Sequence, residues 1–168
     1  MLDATDFKIL AELAENAKYS YAEIGRKLNL HPNVIAYRVN KLERARIIKE
    51  YTTEIDLEKL GVAEQILVGA SFPRDAEREN IIEKIAAIPQ TVKVVSSLGE
   101  PESIVFLVGK NKSEIEKLMS KLRSLDLRIE YTGSIIRTFE EGRLGNFLKL
   151  LASEHENECE GNEKPINH

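Results

Sequence analysis

The sequence predicts an α+β chain of two unlike domains, and three observations predict it. Apolar residues recur at helical spacing through the first 48 positions. Beyond Gly61 the pattern changes to short β-prone runs interleaved with two helical stretches, in the order β-α-β-β-α-β. Charge changes as well: Lys18 to Lys49 carries eight Lys and Arg against two acids, whereas Ala63 to the end carries 14 against 18. A basic helical segment therefore precedes a slightly acidic mixed one, although the net charge of all 168 residues is only −4.

The first domain reads as three helices. Asp3 is the N-cap of the first, with Asp6 at N3 and Leu2 and Phe7 placed for a hydrophobic staple. Ile9, Leu10, Leu13 and Ala14 form its buried stripe. The second opens on "SYAE", where Ser20 and Glu23 have capping-box spacing. Ala22, Ile24 and Leu28 can face inward. It stops at Asn29, a residue that tolerates the left-handed conformation. Pro32 then suits N1 of the third helix, since its missing N–H costs nothing there. Ile35, Val39 and Leu42 fall at i, i+4, i+7 and give that helix one inward face.

Residues 49–62 read as a short wing strand or hairpin running into a linker, because Ile48, Tyr51, Thr53 and Ile55 are β-prone. The second domain, 63–140, begins with the strand "EQILVGASF". Helical spacing in "DAERENIIEKIAAI" follows and ends at Pro89. "TVKVVSSL" and "SIVFLVG" are the next strands. "SEIEKLMSKLRSL" is a helix with Ser113 as a possible N-cap, and "RIEYTGSIIRTF" is the fourth strand. Residues 141–151 predict a short terminal helix. Residues 152–168, with five acids and one Lys, read as a disordered acidic tail.

Composition excludes several classes. A single cysteine, Cys159, rules out an internal disulfide framework. The longest purely apolar run, "IVFLV", is far short of the roughly 20 residues of a membrane helix. "MLDATD" lacks the regions of a signal peptide, so a cytoplasmic protein is expected, with no membrane partner. His155 and Cys159 lie in a tail that offers no preformed cage, so no metal site is expected. No Walker A loop, G-x-S-x-G or H-E-x-x-H occurs, and neither catalytic residues nor a cofactor is expected.

The informative stretch is "LNLHPNVIAYRVNKLE". Behind its apolar stripe, the third helix presents Asn33, Tyr37, Asn40, Lys41 and Arg44 outward, with almost no acid. Two helices joined by a tight turn, the second polar on its outer face, describe a helix-turn-helix. In that motif the second helix enters the major groove of double-stranded DNA. Asn pairs with adenine, and Arg and Lys pair with guanine or phosphate. Lys27, Arg46 and Lys49 would flank this face as phosphate contacts. The plainer reading is a solvated face of a small helical domain, and the capping box, short turn, Pro at N1 and β-prone wing argue against it.

Residues 2–48 closely resemble the N-terminal domain of the Lrp/AsnC, or feast/famine, family of transcriptional regulators. The match runs through Leu2, Asp3, Asp6, Ile9, Leu10, Leu13, Asn16, Ser20, Glu23, Ile24, Leu28, Leu30, Pro32, Ile35, Arg38, Val39, Leu42, Glu43, Ile47 and Ile48. The chain departs from the pattern with Lys18 for Arg, Gly25 for Ala, His31 for Ser and Arg46 for Gly. The His31 change removes a good N-cap oxygen. The resemblance implies a winged helix-turn-helix followed by a ferredoxin-like βαββαβ domain that dimerises and binds a small effector, typically an amino acid. The implied DNA contacts are Ser20, His31, Pro32, Asn33, Tyr37, Arg38, Asn40, Lys41, Arg44 and Lys49. The implied effector site is the "GEPES" loop, with Ser97, Gly99, Glu100, Glu102 and Ser134, where two carboxylates would hold an α-ammonium group. A charged β-turn is the other reading of that loop.

The chain is thus expected to be a sequence-specific regulator. Two other classes compete. Tetrapyrrole (sirohaem) decarboxylases resemble the family, but no His lies between His31 and His155 to serve such a pocket. An architectural protein would coat DNA without reading it. Alternation in the first strand leaves Leu67, Gly69 and Ser71 on a second sheet face, with Val95 and Ile136, that helices cannot cover. A homodimer, or a larger even-numbered oligomer, on a pseudo-palindromic operator is therefore expected.

Overall fold

The computed structural model describes residues 2–74, 77–136 and 143–161. The chain divides into a helical unit, Met1–Glu54 with Phe139–His168, and a sheet unit, Ile55–Thr138.

In the helical unit, α1 spans Ala4–Glu15, α2 Tyr21–Leu28 and α3 Pro32–Arg44. The predicted cap at Asp3 and the predicted capping box at Ser20 both form, and the Asp3 cap is itself a capping box closed by Asp6. Asp3 Oδ1 accepts from the Asp6 N–H at 2.9 Å, and Glu23 Oε2 accepts from the Ser20 N–H at 2.7 Å. Each satisfies donors a helix start leaves open. Asn29 closes α2 at φ 54°. The turn that follows is tight because Gly25 has no side chain: a Cβ there would lie 2.5 Å from the Leu30 carbonyl oxygen. Ile9, Ile24, Ile35 and Val39 are fully buried together.

The predicted stripe of α1 is only partly right. Ile9 and Ala11 are buried and Ala14 is exposed. Likewise Ala22 is exposed, and the buried neighbour of Ile24 is Gly25. The reason for the first difference is a further helix. α6 spans Arg143–Gly161 and packs on α1. Gly145 approaches the Ala11 carbonyl, Ala152 is buried, the His155 ring lies 5.2 Å from that of Phe7, and Lys8 pairs with Glu156 at 2.5 Å. The tail read as disordered from 152 onward is therefore helical to Gly161 and docked. Composition hid this because the contacts from that stretch to α1 come from a small residue and two polar ones, Ala152, His155 and Glu156. Residues 162–168 lie outside the described residues.

The expected wing forms no strand. Residues 49–56 carry no strand partner, and a lone β-prone segment gains nothing without one. Tyr51 instead donates to Glu43 on α3 at 2.8 Å. Burial first, then the Glu43 carboxylate, pushes its phenol up to about 12. Residues 57–61 form a turn ending at Gly61, φ 77°.

In the sheet unit the predicted order holds: β1 Glu64–Ser71, α4 Arg78–Ala86, β2 Thr91–Ser96, β3 Ser103–Gly109, α5 Lys112–Arg123 and β4 Arg128–Ser134. The strands pair antiparallel in the order β2-β3-β1-β4. Ile66, Val68, Ala70 and Phe72 point to the helix-covered face, as alternation required, and meet Ile85, Val105, Leu107, Leu118 and Leu122. The N-cap of α5 is Asn111, not Ser113: its side chain accepts from the Glu114 N–H at 3.0 Å. The fourth strand ends at Ser134; of the rest of its expected run, Ile135 and Ile136 are not in strand, and 137–139 lie outside the described residues. So do Asp75 and Ala76 at the expected start of α4.

Candidate nucleic-acid interface

The polar face of α3 is held out by the apolar one. With Ile35, Val39 and Leu42 buried, helical periodicity forces Asn33, Tyr37, Asn40, Lys41 and Arg44 to the exposed side. Tyr37 is 71% exposed, unusual for so large a ring, and it meets no aromatic or cationic partner among the described residues. Lys41, Arg44, Arg46 and Lys49 are exposed, and none is engaged in an ion pair there. Arg26 on α2 shares both properties and escaped the sequence reading, because nothing in the spacing of α2 separates it from Lys27.

Five expected contact residues have other engagements. Arg38 turns away from the outer face. Its guanidinium holds Asp3 at 2.7 Å and Asp6 at 2.8 Å, and Asp6 is 1% exposed. Hydrogen bonds to Asp3 and Asp6 raise its pKa further. Burial acts to raise the Asp3 pKa, but the hydrogen bonds from Arg38 and from the Asp6 amide outweigh it and hold that carboxyl below its ordinary range. Arg38 thus fixes α3 to α1 through the guanidinium that the resemblance assigns to DNA. Ser20 is committed to its capping box. His31 supplies a cap after all: Nδ1 accepts from the Asn33 N–H at 3.2 Å, replacing the missing Ser oxygen with a ring nitrogen. Asn40 donates through Nδ2 to the Ala36 carbonyl at 2.8 Å, leaving its Oδ1 and one N–H outward. Lys27 is likewise occupied, by Glu12 at 2.6 Å and by the Tyr19 ring at 3.8 Å, which raise its pKa.

Arg46 shows what the departure from Gly entails. It stands at φ 57°, in the left-handed region. Its N–H bonds the Glu43 carbonyl and the Ile47 N–H bonds the Leu42 carbonyl, the two bonds of a Schellman ending.

In the sheet unit the "GEPES" carboxylates are already engaged. Glu100 pairs with Arg128 at 3.1 Å. Glu102 pairs with Arg78 and accepts from the Phe72 N–H at 2.9 Å. The Ser97 hydroxyl donates to the Pro101 carbonyl. Gly99 takes φ 115°, and Ser134 is exposed at the end of β4. Two carboxylates waiting for an ammonium group are therefore not what the loop presents. The cations that neutralise them lie on α4 and β4, and no local spacing reveals them.

A helical unit whose second turn-linked helix offers a cation-rich face is a helix-turn-helix DNA-binding module. Residues 2–43 match the AsnC-type helix-turn-helix domain. The chain is 32% identical over 135 residues to the HTH-type transcriptional regulator LysM of Saccharolobus solfataricus, covering 80% of this chain and 93% of that protein. It is 29% identical over 123 residues to the HTH-type transcriptional regulator Rv2324 of Mycobacterium tuberculosis, covering 73% and 83%. The structure of Bacillus subtilis LrpC superposes with TM-score 0.72 at 26% identity, covering 83% of this chain and 97% of that one. The transcriptional regulator NMB0573 of Neisseria meningitidis, in complex with L-Met, has the same fold at 22% identity, TM-score 0.72, covering 83% and 92%. The chain belongs to the Lrp/AsnC family, and it is a DNA-binding transcriptional regulator of the helix-turn-helix type.

Proposed function

We propose that α3 reads an operator in the major groove through Asn33, Tyr37, Asn40, Lys41 and Arg44, while Lys49, Arg46 and Arg26 contact phosphates. The carrying observation is that these side chains are exposed while the other cations beside them, Lys27 and Arg38, are tied down. His31 and Pro32 set the start of that helix and touch DNA only through its first turn. Replacing Asn40 or Arg44 by Ala should cost about 1–3 kcal/mol of discrimination between operator and random DNA. Lys49→Ala should weaken both kinds of binding alike and flatten the salt dependence. Footprinting and titration of the two DNAs decide it: unchanged operator binding in all three variants would remove α3 from the interface.

The protein acts as a homodimer in this reading. The helix-free face of the sheet carries half-buried Leu67, Val95, Ile104 and Phe106, an apolar surface that a two-fold partner would cover. Two copies of α3 then meet a pseudo-palindrome with half-sites about 34 Å apart. The L-Met complex of NMB0573 supports an amino-acid effector. At the "GEPES" loop such a ligand meets paired charges, so its carboxylate would compete with Glu100 and Glu102 for Arg128 and Arg78. Sedimentation with and without amino acids tests both statements. A stable monomer refutes the first, and no effect of any amino acid on assembly or operator affinity refutes the second. The relatives are regulators, which supports a non-catalytic, cytoplasmic role. No helix among the described residues is long and apolar enough to cross a membrane.

A further inference from the structure

Sorting the cations by whether an acid already holds them separates two surfaces. Among the described residues of the helical unit, ion pairs engage Lys8, Lys27, Arg38 and Lys149, and leave Arg26, Lys41, Arg44, Arg46 and Lys49 on and around the helix-turn-helix unengaged. In the sheet unit, ion pairs engage Lys59, Arg78 and Arg128. Among the described residues of that unit, the unengaged cations concentrate between Lys110 and Arg123, on and just before α5.

We infer that the outer face of α5 is a second DNA-backbone contact, used when the duplex extends beyond the operator. Helical spacing places Ser113, Lys117, Ser120 and Ser124 on one exposed stripe, with Lys112 and Arg123 on one side of it and Lys121 on the other. The inward side is apolar, with Leu118, Met119 and Leu122 buried, so these cations have no core to return to. Two acids share the helix with Lys112, Lys117, Lys121 and Arg123: Glu114, which accepts from the Lys110 N–H at 2.8 Å and from Gln90 at 3.0 Å and stays ionised beside Lys110 and Lys117, and the exposed Glu116, so the helix remains net positive. The Ser120 and Ser124 hydroxyls already donate to the Glu116 and Lys121 carbonyls, at 3.0 Å and 2.7 Å, so the donors this face offers to phosphate oxygens are its cations and the Ser113 hydroxyl. Apart from Arg123 at its edge, this face carries lysines and hydroxyls and no paired amide groups, so its contact is with the backbone and independent of sequence.

This surface presupposes that α3 binds DNA, and duplex length separates the two claims. The full chain is titrated with a duplex of about 20 bp, two helical turns, and with one of about 150 bp carrying the same operator. The double variant K117E/K121E should bind the short duplex as wild type does. On the long one it should lose about tenfold in affinity, and the slope of log K against log salt should fall by about two. Glu116→Lys, a surface change with no fold to disturb, should steepen the long-duplex slope by about one. Unaltered long-duplex slopes in both variants overturn the inference. So does an equal loss on both duplexes, since the effect then does not come from flanking DNA. Failure of α3 itself appears separately, as loss of the short duplex in the Asn40→Ala or Arg44→Ala chains.

Discussion

Among the described residues, twelve apolar side chains of the sheet unit gather in one buried cluster behind the sheet, whereas the buried cluster of the helical unit has four, with Ala11, Leu42 and Ala152 buried outside it. So small a core leaves the helical unit dependent on other attachments, and these are polar or local. Two capping boxes, a His cap, the Arg38 clamp and the docked α6 all fasten helix ends or helix pairs. The difference teaches how a DNA-reading face is kept polar without losing order. The outer half of α3 cannot contribute to a core, so its orientation is fixed from behind by Asp3 and Asp6. In the sheet unit packing alone suffices, and ion pairs such as Arg128–Glu130 sit at the surface where they contribute little.

The sharpest test of that contrast is the clamp. Arg38→Met leaves the Asp6 carboxylate buried without its partner, and breaking a buried pair from one side costs about 3–5 kcal/mol. The helical unit should lose most of its stability while the sheet unit melts as before. Amide exchange resolved by residue checks this. Adding Asp6→Leu should recover much of the loss, since an apolar replacement of the whole pair is tolerated. Acid adds a second signature. The Asp3 carboxyl is held below its ordinary value, so its contribution is full above about pH 4 and is lost as pH falls through the lower, folded value. In Arg38→Met that acid-dependent part should be reduced. Should the variant melt like wild type at neutral pH, the helical unit does not rely on the clamp.

A smaller effect is expected at α6. Ending the chain before Ala152 removes a fully buried residue, the His155–Phe7 contact and the Lys8–Glu156 pair. The exposed ion pair adds little, so the loss is mainly apolar burial on α1, about 2 kcal/mol. Exchange of the α1 amides should speed up while those of β1 and β3 stay unchanged. Retained protection in α1 would return the segment to the status of a dispensable tail.

How far the sequence reveals the molecule depends on the range of the interactions. The caps at Asp3 and Ser20, the left-handed Asn29 and the β1 face through Ile66 to Phe72 follow from residues within a few positions of one another. So does the outward face of α3, because helical period alone orients it. The clamp joins residues 35 apart, and the partners of Glu100 and Glu102 stand on other elements, so charge type marks them as polar but not as taken. The docking of α6 uses Gly145 and Ala152, small residues that let backbones approach, and His155 and Glu156, polar residues whose partners Phe7 and Lys8 stand on α1, far away in sequence.

The smallest predicted effect has two parts of opposite sign. Arg46 holds a left-handed conformation that glycine takes without the steric cost a side chain incurs, about 1 kcal/mol. Its hydrogen bonds are made by the backbone, so Arg46→Gly preserves both bonds of the Schellman ending. The helical unit should then gain up to about 1 kcal/mol, less whatever glycine's freedom in the unfolded chain takes back. The same change deletes an exposed, unengaged cation next to the reading helix. Operator and random DNA should both bind more weakly, with the salt slope lower by about one. Arg46→Asn separates the two parts, since Asn tolerates this backbone region but brings no charge. It should share the loss of DNA affinity and show a smaller gain in stability. If Arg46→Gly and Arg46→Asn both bind DNA with the wild-type salt slope, Arg46 makes no phosphate contact, and its left-handed conformation serves only to end α3.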